Sequence, residues 1–312
     1  MAKERIDKIL SHQGFGSRKD VKKLLRSSEV LVNGQRIFDS ASQLDPENDL
    51  LTVDGEEISL MANRYIMMNK ITHTISANKD GLHQTVFDLL SPDLRTPYLQ
   101  EKLHLVGRLD MDTEGLLLFT TDGELTHRLI SPKSHISKTY FCVLEHPETD
   151  EHKQEIAKAF AAGIEVGPED NEAGFKCEPA VIKWASEEEY TLHTKKSSVL
   201  EALEKAGLLD EGEKLSKNDS PAETVSNTKN QNNQFPLNPQ KQNAQYKIDP
   251  QNQVALLTIY EGKYHQVKRM FAAVGNKVVF LKRISMGGLN LDNELGPGKY
   301  REVSEEELEL LK

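Results

Sequence analysis

LVGRLDMDTEGLLLFTT, residues 105–121, is the segment that decides the fold of this chain. It places three carboxylates and an arginine within seven residues, and an apolar run at residues 116–119 follows that is typical of a buried strand. Carboxylates beside a core strand are costly unless they are paired or used in chemistry. A structural turn and a functional site are therefore both open interpretations of Asp110, Asp112 and Glu114.

Three kinds of chemistry compete with a structural turn here. A calcium loop of the EF-hand type needs a glutamate at its twelfth position, where this chain has Thr121, so calcium binding is not favoured. Asp110 and Asp112 could be the acid and base of a glycosidase, but a turn does not fix the separation of their carboxylates. A single nucleophilic or basic aspartate held by Arg108 is the third interpretation.

The charge of the chain is unevenly distributed. The formal net charge of the 312 residues is −10, yet residues 1–36 contain nine lysines and arginines against four acidic residues. This local charge of +5 leaves −15 on the remainder. A basic N-terminus on an acidic body is typical of an attached nucleic-acid-binding element.

Other sequence features narrow the class of protein. Cys142 and Cys177 are too few for a metal cluster or a disulfide framework. We see neither a signal peptide nor an apolar run long enough for a membrane span, so we expect a soluble, cytoplasmic protein. Between residues 210 and 245, Ser, Asn, Gln, Lys and Pro dominate, which predicts a disordered insertion.

The N-terminal segment predicts a basic amphipathic helix. Ser17 is typical of a helix N-cap, and Asp20 follows where a carboxylate complements the helix dipole. Val21, Leu24 and Leu25 recur at helical spacing and predict a buried stripe. The opposite side, which we call the basic face, carries Lys19, Lys22, Lys23 and Arg26. Since basic helix faces are usually just solvated, this face alone does not establish RNA binding.

A hairpin follows the basic helix. Residues 30–37, VLVNGQRI, predict a type I′ turn at Asn33-Gly34, and Asp54-Gly55 predicts a second turn. The succession GFGSRKDVKKLLRSSEVLVNG, residues 14–34, resembles the ribosomal protein S4-like RNA-binding domain, which we assign to residues 1–60. The resemblance implies contacts with the phosphates of structured RNA by the basic face, with Arg18 and Arg36 as weaker candidates.

Three motifs in the body occur in the order found in pseudouridine synthases. GRLDMDTEGLLLFTTDGELTHRLISP (residues 107–132) resembles their R-L-D-x-x-T-x-G-L signature, KTYFCVLE (138–145) their second motif, and EGKYHQVKRMFAAVGNKVVFLKRISMGGLNL (261–291) their third. YHQVKRMFAAVG and the N-terminal domain look most like the small-subunit rRNA branch, the RsuA type; the large-subunit relatives are the close alternative. The resemblance implies an α+β fold: the S4-like domain, then a catalytic domain at residues 64–312 with a mixed, mainly antiparallel sheet.

The resemblance also implies roles for individual residues. Asp110 corresponds to the catalytic aspartate, which isomerises a uridine without a metal or organic cofactor. Tyr140 matches the active-site tyrosine, and Lys268 lies where many relatives have an arginine that pairs with the aspartate. We expect Arg108 to occupy the space of a flipped-out uridine, to bind phosphate or to pair with Glu114. Arg269 is a second-ranked RNA contact.

The remaining residues of these motifs are assigned to structure. We expect Asp112, Thr113, Glu114 and Gly115 to shape the turn, and His265 to be a hydrogen-bonded structural histidine. The implied partner is 16S rRNA, with uridine 516 as the target, or a small-subunit assembly intermediate; we expect a monomer that binds no membrane. The alternative functions are a large-subunit (23S) rRNA pseudouridine synthase and an inactive RNA-binding assembly factor.

Overall fold

The structure is a computed structural model that describes residues 3–45, 48–58, 60, 63–95, 97–195, 197–206 and 253–311. The predicted insertion at residues 210–245 lies outside these ranges. In the N-terminal module the elements are β1 (Glu4–Arg5), α1 (Ile6–His12), α2 (Arg18–Ser27), β2 (Val30–Val32), β3 (Gln35–Arg36), β4 (Gln43–Leu44), β5 (Leu51–Val53) and β6 (Glu56–Ile58).

The body contains the remaining helices and strands. They are β7 (Tyr65–Lys70), α3 (Pro97–Lys102), β8 (His104–Leu105), β9 (Glu114–Thr120), α4 (Gly123–Ile130), β10 (Lys138–Leu144), α5 (Asp150–Ala162), β11 (Glu165–Val166), β12 (Phe175–Lys176), β13 (Val181–Trp184), α6 (Glu187–Thr194), α7 (Val199–Lys205), β14 (Val254–Ile259), α8 (Gln266–Ala273), β15 (Val278–Met286), β16 (Leu289–Asn290), β17 (Tyr300–Glu302) and α9 (Glu305–Glu309). Within the described ranges, no helix is both long and apolar enough to cross a membrane.

The N-terminal module confirms the local predictions. Ser17 and Asp20 form a capping box at the start of α2. Val21 and Leu25 are fully buried in the module's core. The β2–β3 turn has positive φ at both central residues (Asn33, +50°; Gly34, +77°), as a type I′ turn requires. The basic face is therefore turned to solvent because the other side of α2 packs inward.

The body is organised by one mixed sheet in the order β13-β14-β10-β15-β9-β7-β17. Strands β9 and β15 are parallel, whereas the other neighbours in this order are antiparallel, which confirms the predicted sheet. Strands β13 and β14 pair with each other. The residues between them, including the predicted insertion, therefore interrupt a pair of neighbouring strands within one sheet.

Every residue of β9 is buried, because helices cover both faces of the sheet around it. Leu117 and Phe119 pack in a cluster with side chains of α5 and α8. Leu116 and Leu118 point to the opposite face and pack with α4. Helices α6 and α7 contribute to a further cluster beside Phe141. The apolar run in the sequence thus marks the centre of the sheet.

Residues 83–90, which are followed by the stop signal Ser91-Pro92, predict a helix from the sequence, and this prediction is wrong. The structure has only a short 3-10 helix, Val86–Leu89. Thr85 is extended, forms a bridge with Ile75, and makes a capping box with Asp88. Because the bridge holds Thr85 in an extended conformation, helical structure can begin only after it.

The two modules contact each other through Arg64, at the start of the body. Its Nη1 donates to the carbonyl of Gln13 at 3.2 Å, and its guanidinium forms a salt bridge with Glu302. Thr121 Oγ1 lies 3.4 Å from His12 Nδ1. The loop between α1 and α2 is thereby joined to the edge of the body.

Candidate active site

The turn before β9, residues 110–113, is closed by a hydrogen bond from Thr113 N to Asp110 O at 3.1 Å; we call it the Asp110 turn. Gly115 follows it with a φ of +99°. A Cβ at Gly115 would lie 2.2 Å from Arg283 O on the parallel strand β15. Only glycine therefore lets the turn lead into the sheet here, as the sequence predicted.

The ammonium of Lys268, on α8, reaches the Asp110 turn. Its Nζ is 3.3 Å from Asp110 Oδ2, and 2.6 and 2.9 Å from the two carboxylate oxygens of Asp112. Desolvation raises the pKa of Asp112, but the hydrogen bonds and charge of Lys268 outweigh it and hold that pKa below its usual value. Asp112 lies in the turn, as predicted, and the structure adds that it shares Lys268 with Asp110.

A second cation, which the sequence analysis missed, lies under the same turn. Lys70 ends β7, is fully buried, and donates from Nζ to the carbonyls of Ile71 and Thr113 at 2.9 Å. Burial lowers its pKa to about 8, although the negative charges of Glu114 and its neighbours oppose the shift. Sequence offers one signal: a lysine that closes an apolar strand needs a partner when it is buried.

Glu114 is not a turn residue, which corrects the prediction. It is the first residue of β9, is 1% exposed, and its Oε1 accepts a hydrogen bond from Ser198 N at 3.0 Å. Burial raises its pKa, while the charges of Lys282 and Lys70 act in the opposite direction. Arg108 is exposed, so the expected Arg108–Glu114 ion pair is absent from the described residues.

Tyr140 lies on β10 at a break in the strand register. Thr139 pairs with Ser285 on β15, but Tyr140 pairs with Arg283, so β15 has an extra residue at this point. Such bulges change the direction of a side chain and are frequent beside active sites. The Tyr140 side chain is 8% exposed and belongs to the same cluster as Leu109, the residue before Asp110.

His265 lies between two carboxylates, which corrects its assignment as a hydrogen-bonded structural residue. Its Nε2 is 3.8 Å from Asp110 Oδ2 and its Nδ1 is 3.3 Å from Glu169 Oε1. Nδ1 is buried without a hydrogen-bond partner in the described part of the chain. The ring stacks on Tyr264, and the backbone is left-handed with φ +48°. The sequence offered one indication that His265 lies near Asp110, because His265 is only three residues before Lys268.

Arg269 is buried by the β11–β12 hairpin, which corrects its assignment as an RNA contact. Its Nη2 donates to the carbonyls of Gly167 and Ala173, and the guanidinium lies over the ring of Phe175 at 4.6 Å. The side chain is 5% exposed. Adjacent helical residues point about 100° apart, so Arg269 faces the hairpin when Lys268 faces the Asp110 turn.

The predicted RNA-binding cations of the N-terminal module are on its surface. All four residues of the basic face are exposed, as are Arg18 and Arg36. Lys23 has a carboxylate neighbour, Asp20, at 3.5 Å. Arg36 donates to Ser28 O at 3.3 Å and lies over the ring of Phe38, itself exposed.

A cleft of about 200 Å³ opens beside the ion pair of Lys268 and Asp112. Its other walls come from the loop after β7, from α7 and from β15; they include Thr72, His73, Ser198, Ala202 and Lys205. Among the residues that the structure describes, no three His, Cys, Asp or Glu side chains are grouped so as to hold a metal ion. The side chains gathered at the Asp110 turn are the carboxylates of Asp110 and Asp112, the ammonium of Lys268 and the ring of His265.

Comparisons with known proteins show the family to which the chain belongs. The chain matches the RNA pseudouridylate synthase family over residues 64–273 and the S4 domain over residues 4–50. It is 37% identical over 307 residues to the uncharacterized RNA pseudouridine synthase YtzG of Bacillus subtilis (strain 168), covering 98% of each chain. It is 33% identical to ribosomal small subunit pseudouridine synthase A of Escherichia coli (strain K12), covering 97% of this chain and 98% of the other. A crystal structure of a pseudouridylate synthase, 28% identical, matches 99% of both chains with a TM-score of 0.52.

Proposed function

The chain belongs to the RNA pseudouridine synthase family, and we propose that its substrate is a uridine of 16S rRNA, at position 516, in the small ribosomal subunit. The Lys268–Asp110 contact carries the chemical part of this proposal, because it sets a cation against the aspartate of the R-L-D signature. The small-subunit target is supported by relatives named ribosomal small subunit pseudouridine synthase A, at 33–35% identity. Such a substrate implies action in the cytoplasm.

The reaction is an isomerisation and needs no oxidant or reductant. The N1–C1′ bond breaks, the uracil turns, and C5 bonds to C1′; C5 loses a proton and N1 gains one. Asp110 takes part as nucleophile or as base, and either role requires an ionised carboxylate at the glycosidic bond. Lys268 supplies the neighbouring positive charge, and Lys70 supplies a second one beneath the Asp110 turn.

Tyr140 and His265 complete the proposed site. In this proposal Tyr140 stacks on the uracil, and its hydroxyl assists removal of the C5 proton. His265 is a positioning residue: placed between the carboxylates of Glu169 and Asp110, it limits the directions that the aspartate can take. Arg108, exposed beside Asp110, is proposed to contact the RNA backbone near the target.

RNA affinity is proposed to come mainly from the N-terminal module. The basic face presents four exposed cations on a single helix, and phosphate contacts of this kind position a protein without reading sequence. The Asp110 turn then acts on a uridine that has left its stack. Binding and chemistry are thus assigned to different modules.

The decisive test is tritium release from small-subunit rRNA labelled at C5 of uridine, with wild type, Asp110→Asn and the matched control Asp112→Asn. We expect release by the wild type, a loss of about 10³-fold or more for Asp110→Asn, and a smaller loss for Asp112→Asn. Equal release by wild type and Asp110→Asn would remove Asp110 from the mechanism. Release from 23S rRNA alone would favour the large-subunit alternative, and no release from either rRNA would favour an inactive assembly factor.

A further inference from the structure

Leu82 is the most exposed large apolar side chain among the described residues, at 91%. It belongs to what we call the tip loop, residues 76–84, in which residues 78–84 are all exposed. A single exposed leucine needs no explanation by itself. Two further observations, on the hydrogen bonds within the loop and on its attachment to the body, indicate that Leu82 has a function.

The tip of the loop is internally ordered. Asp80 Oδ1 accepts hydrogen bonds from the backbone N–H groups of Leu82 and His83, both at 2.8 Å. These backbone hydrogen bonds lower the pKa of Asp80. The turn therefore holds Leu82 outward in a defined position, so that little ordering entropy is lost when the side chain meets a partner.

The base of the loop is attached to the Asp110 turn. Ser76 Oγ donates to Leu109 O at 2.7 Å, and Leu109 N donates back to Ser76 Oγ at 3.1 Å. The bridge between Ile75 and Thr85 closes the loop. Leu82 is three residues from Thr85, so the Cα atoms of these two residues lie within about 11 Å of each other. The loop that presents this apolar side chain is thus anchored by hydrogen bonds to Leu109, the residue before Asp110.

We propose that Leu82 inserts into the RNA stack beside the target uridine and stabilises the flipped-out state of that uridine. This inference rests on the proposed function. Removing a base from its stack is energetically unfavourable, and apolar side chains such as leucine reduce that cost by inserting between base steps. Lys79, exposed on the same loop, is available to a phosphate of the same strand. This role differs from that of the basic face, which holds RNA without unstacking it.

The test measures unstacking directly. A small-subunit rRNA fragment carries 2-aminopurine next to the target uridine, and its fluorescence is recorded when saturated with Asp110→Asn protein, which binds without turnover. We expect a fluorescence rise with Asp110→Asn, and most of that rise to be lost in Asp110→Asn/Leu82→Ala. Asp110→Asn/Leu192→Ala, at an exposed leucine on α6, should behave like Asp110→Asn. An equal rise with and without Leu82 would overturn the proposal, and loss of the rise only in Asp110→Asn/Arg108→Ala would assign the insertion to Arg108.

Tritium release separates this proposal from the proposed function. In otherwise wild-type protein, Leu82→Ala should lower kcat/KM on the structured fragment by roughly tenfold. On a denatured or single-stranded fragment with the same uridine, the ratio of wild-type to variant activity should fall toward one. An equal loss on both substrates would mean that Leu82 acts on folding or chemistry. If the wild type releases no tritium from 16S or 23S rRNA, the proposed function fails. The fluorescence experiment still tests the insertion of Leu82 by itself, because it does not depend on turnover.

Discussion

The basic face and the Asp110 turn both carry clustered charge, but the two clusters are arranged in opposite ways. On α2 the four cations are exposed, and only Lys23 has a carboxylate within salt-bridge distance among the described residues. At the Asp110 turn, Lys268 is shared by two carboxylates, and Lys70 is buried below them. Exposed charges can neutralise phosphates and respond to salt, whereas buried or paired charges stabilise one geometry and one charge state.

This difference shows why similar residues have different uses within one chain. We expect a lysine on the basic face to contribute to RNA affinity by releasing counterions from the RNA. We expect a lysine at the Asp110 turn to contribute to catalysis instead, through the electric field that it imposes on a carboxylate a few ångströms away. We therefore expect variants of the basic face to lose RNA affinity, and variants of the Asp110 turn to lose catalytic rate.

The largest effect in this comparison is expected for Lys268→Met, which keeps the length of the side chain and removes its charge. We expect kcat to fall by about 10²- to 10³-fold with little change in RNA affinity, since the lysine faces carboxylates. Lys268→Arg should restore part of the loss. Lys277→Met, which breaks an exposed salt bridge with Glu145, is the control. A weaker RNA affinity with unchanged kcat would show that Lys268 belongs with the basic face in function.

A second expected effect concerns the pH dependence of stability at Lys70. Because its pKa is about 8 in the folded protein and 10.5 in the reference state, the unfolded chain binds more protons between these values. The free energy of unfolding should therefore rise with pH through this window, by up to about 3 kcal/mol. Urea unfolding at pH 7.5 and pH 10.5 should show a smaller rise for Lys70→Met than for wild type. Equal rises in the two proteins would contradict the burial of a titrating lysine.

The smallest effect is expected for replacing the four cations of the basic face by glutamine. Affinity for the rRNA fragment should fall by at least about tenfold, and the slope of log affinity against log salt should flatten by about 3 to 4 if all four contact phosphate. Tritium release at saturating RNA should change much less. The matched control replaces four exposed lysines of the body: Lys133, Lys158, Lys183 and Lys277. An unchanged salt slope would show that α2 does not contact RNA.

Features encoded by local chemistry were predictable from the sequence. The capping box at Ser17, the Asn33-Gly34 turn and the need for glycine at position 115 all depend on residues close in the chain. The resemblance to pseudouridine synthases implied that Asp110 and Lys268 are partners, and their side chains meet in the structure.

The errors concern partners supplied by distant segments. Glu114 was assigned to a turn because Ser198, its hydrogen-bond donor, is 84 residues away along the chain. Arg269 was assigned to RNA because nothing in the sequence shows that residues 167–175 fold over it. Lys70 was overlooked because its partners are backbone carbonyls, which leave no trace in residue type.

Arg64, which is held by Glu302 within the body, contacts Gln13 and so joins the body to the N-terminal module. If both sites act as proposed, an RNA would reach the basic face and Asp110 together only when its helical phosphates and its uridine lie the matching distance apart. Two-point attachment of this kind would make binding depend on RNA shape, and an RNA of correct sequence that had not yet folded fully would not fit both sites. Each pseudouridine would then be a lasting record that the ribosomal RNA had passed through one particular conformation.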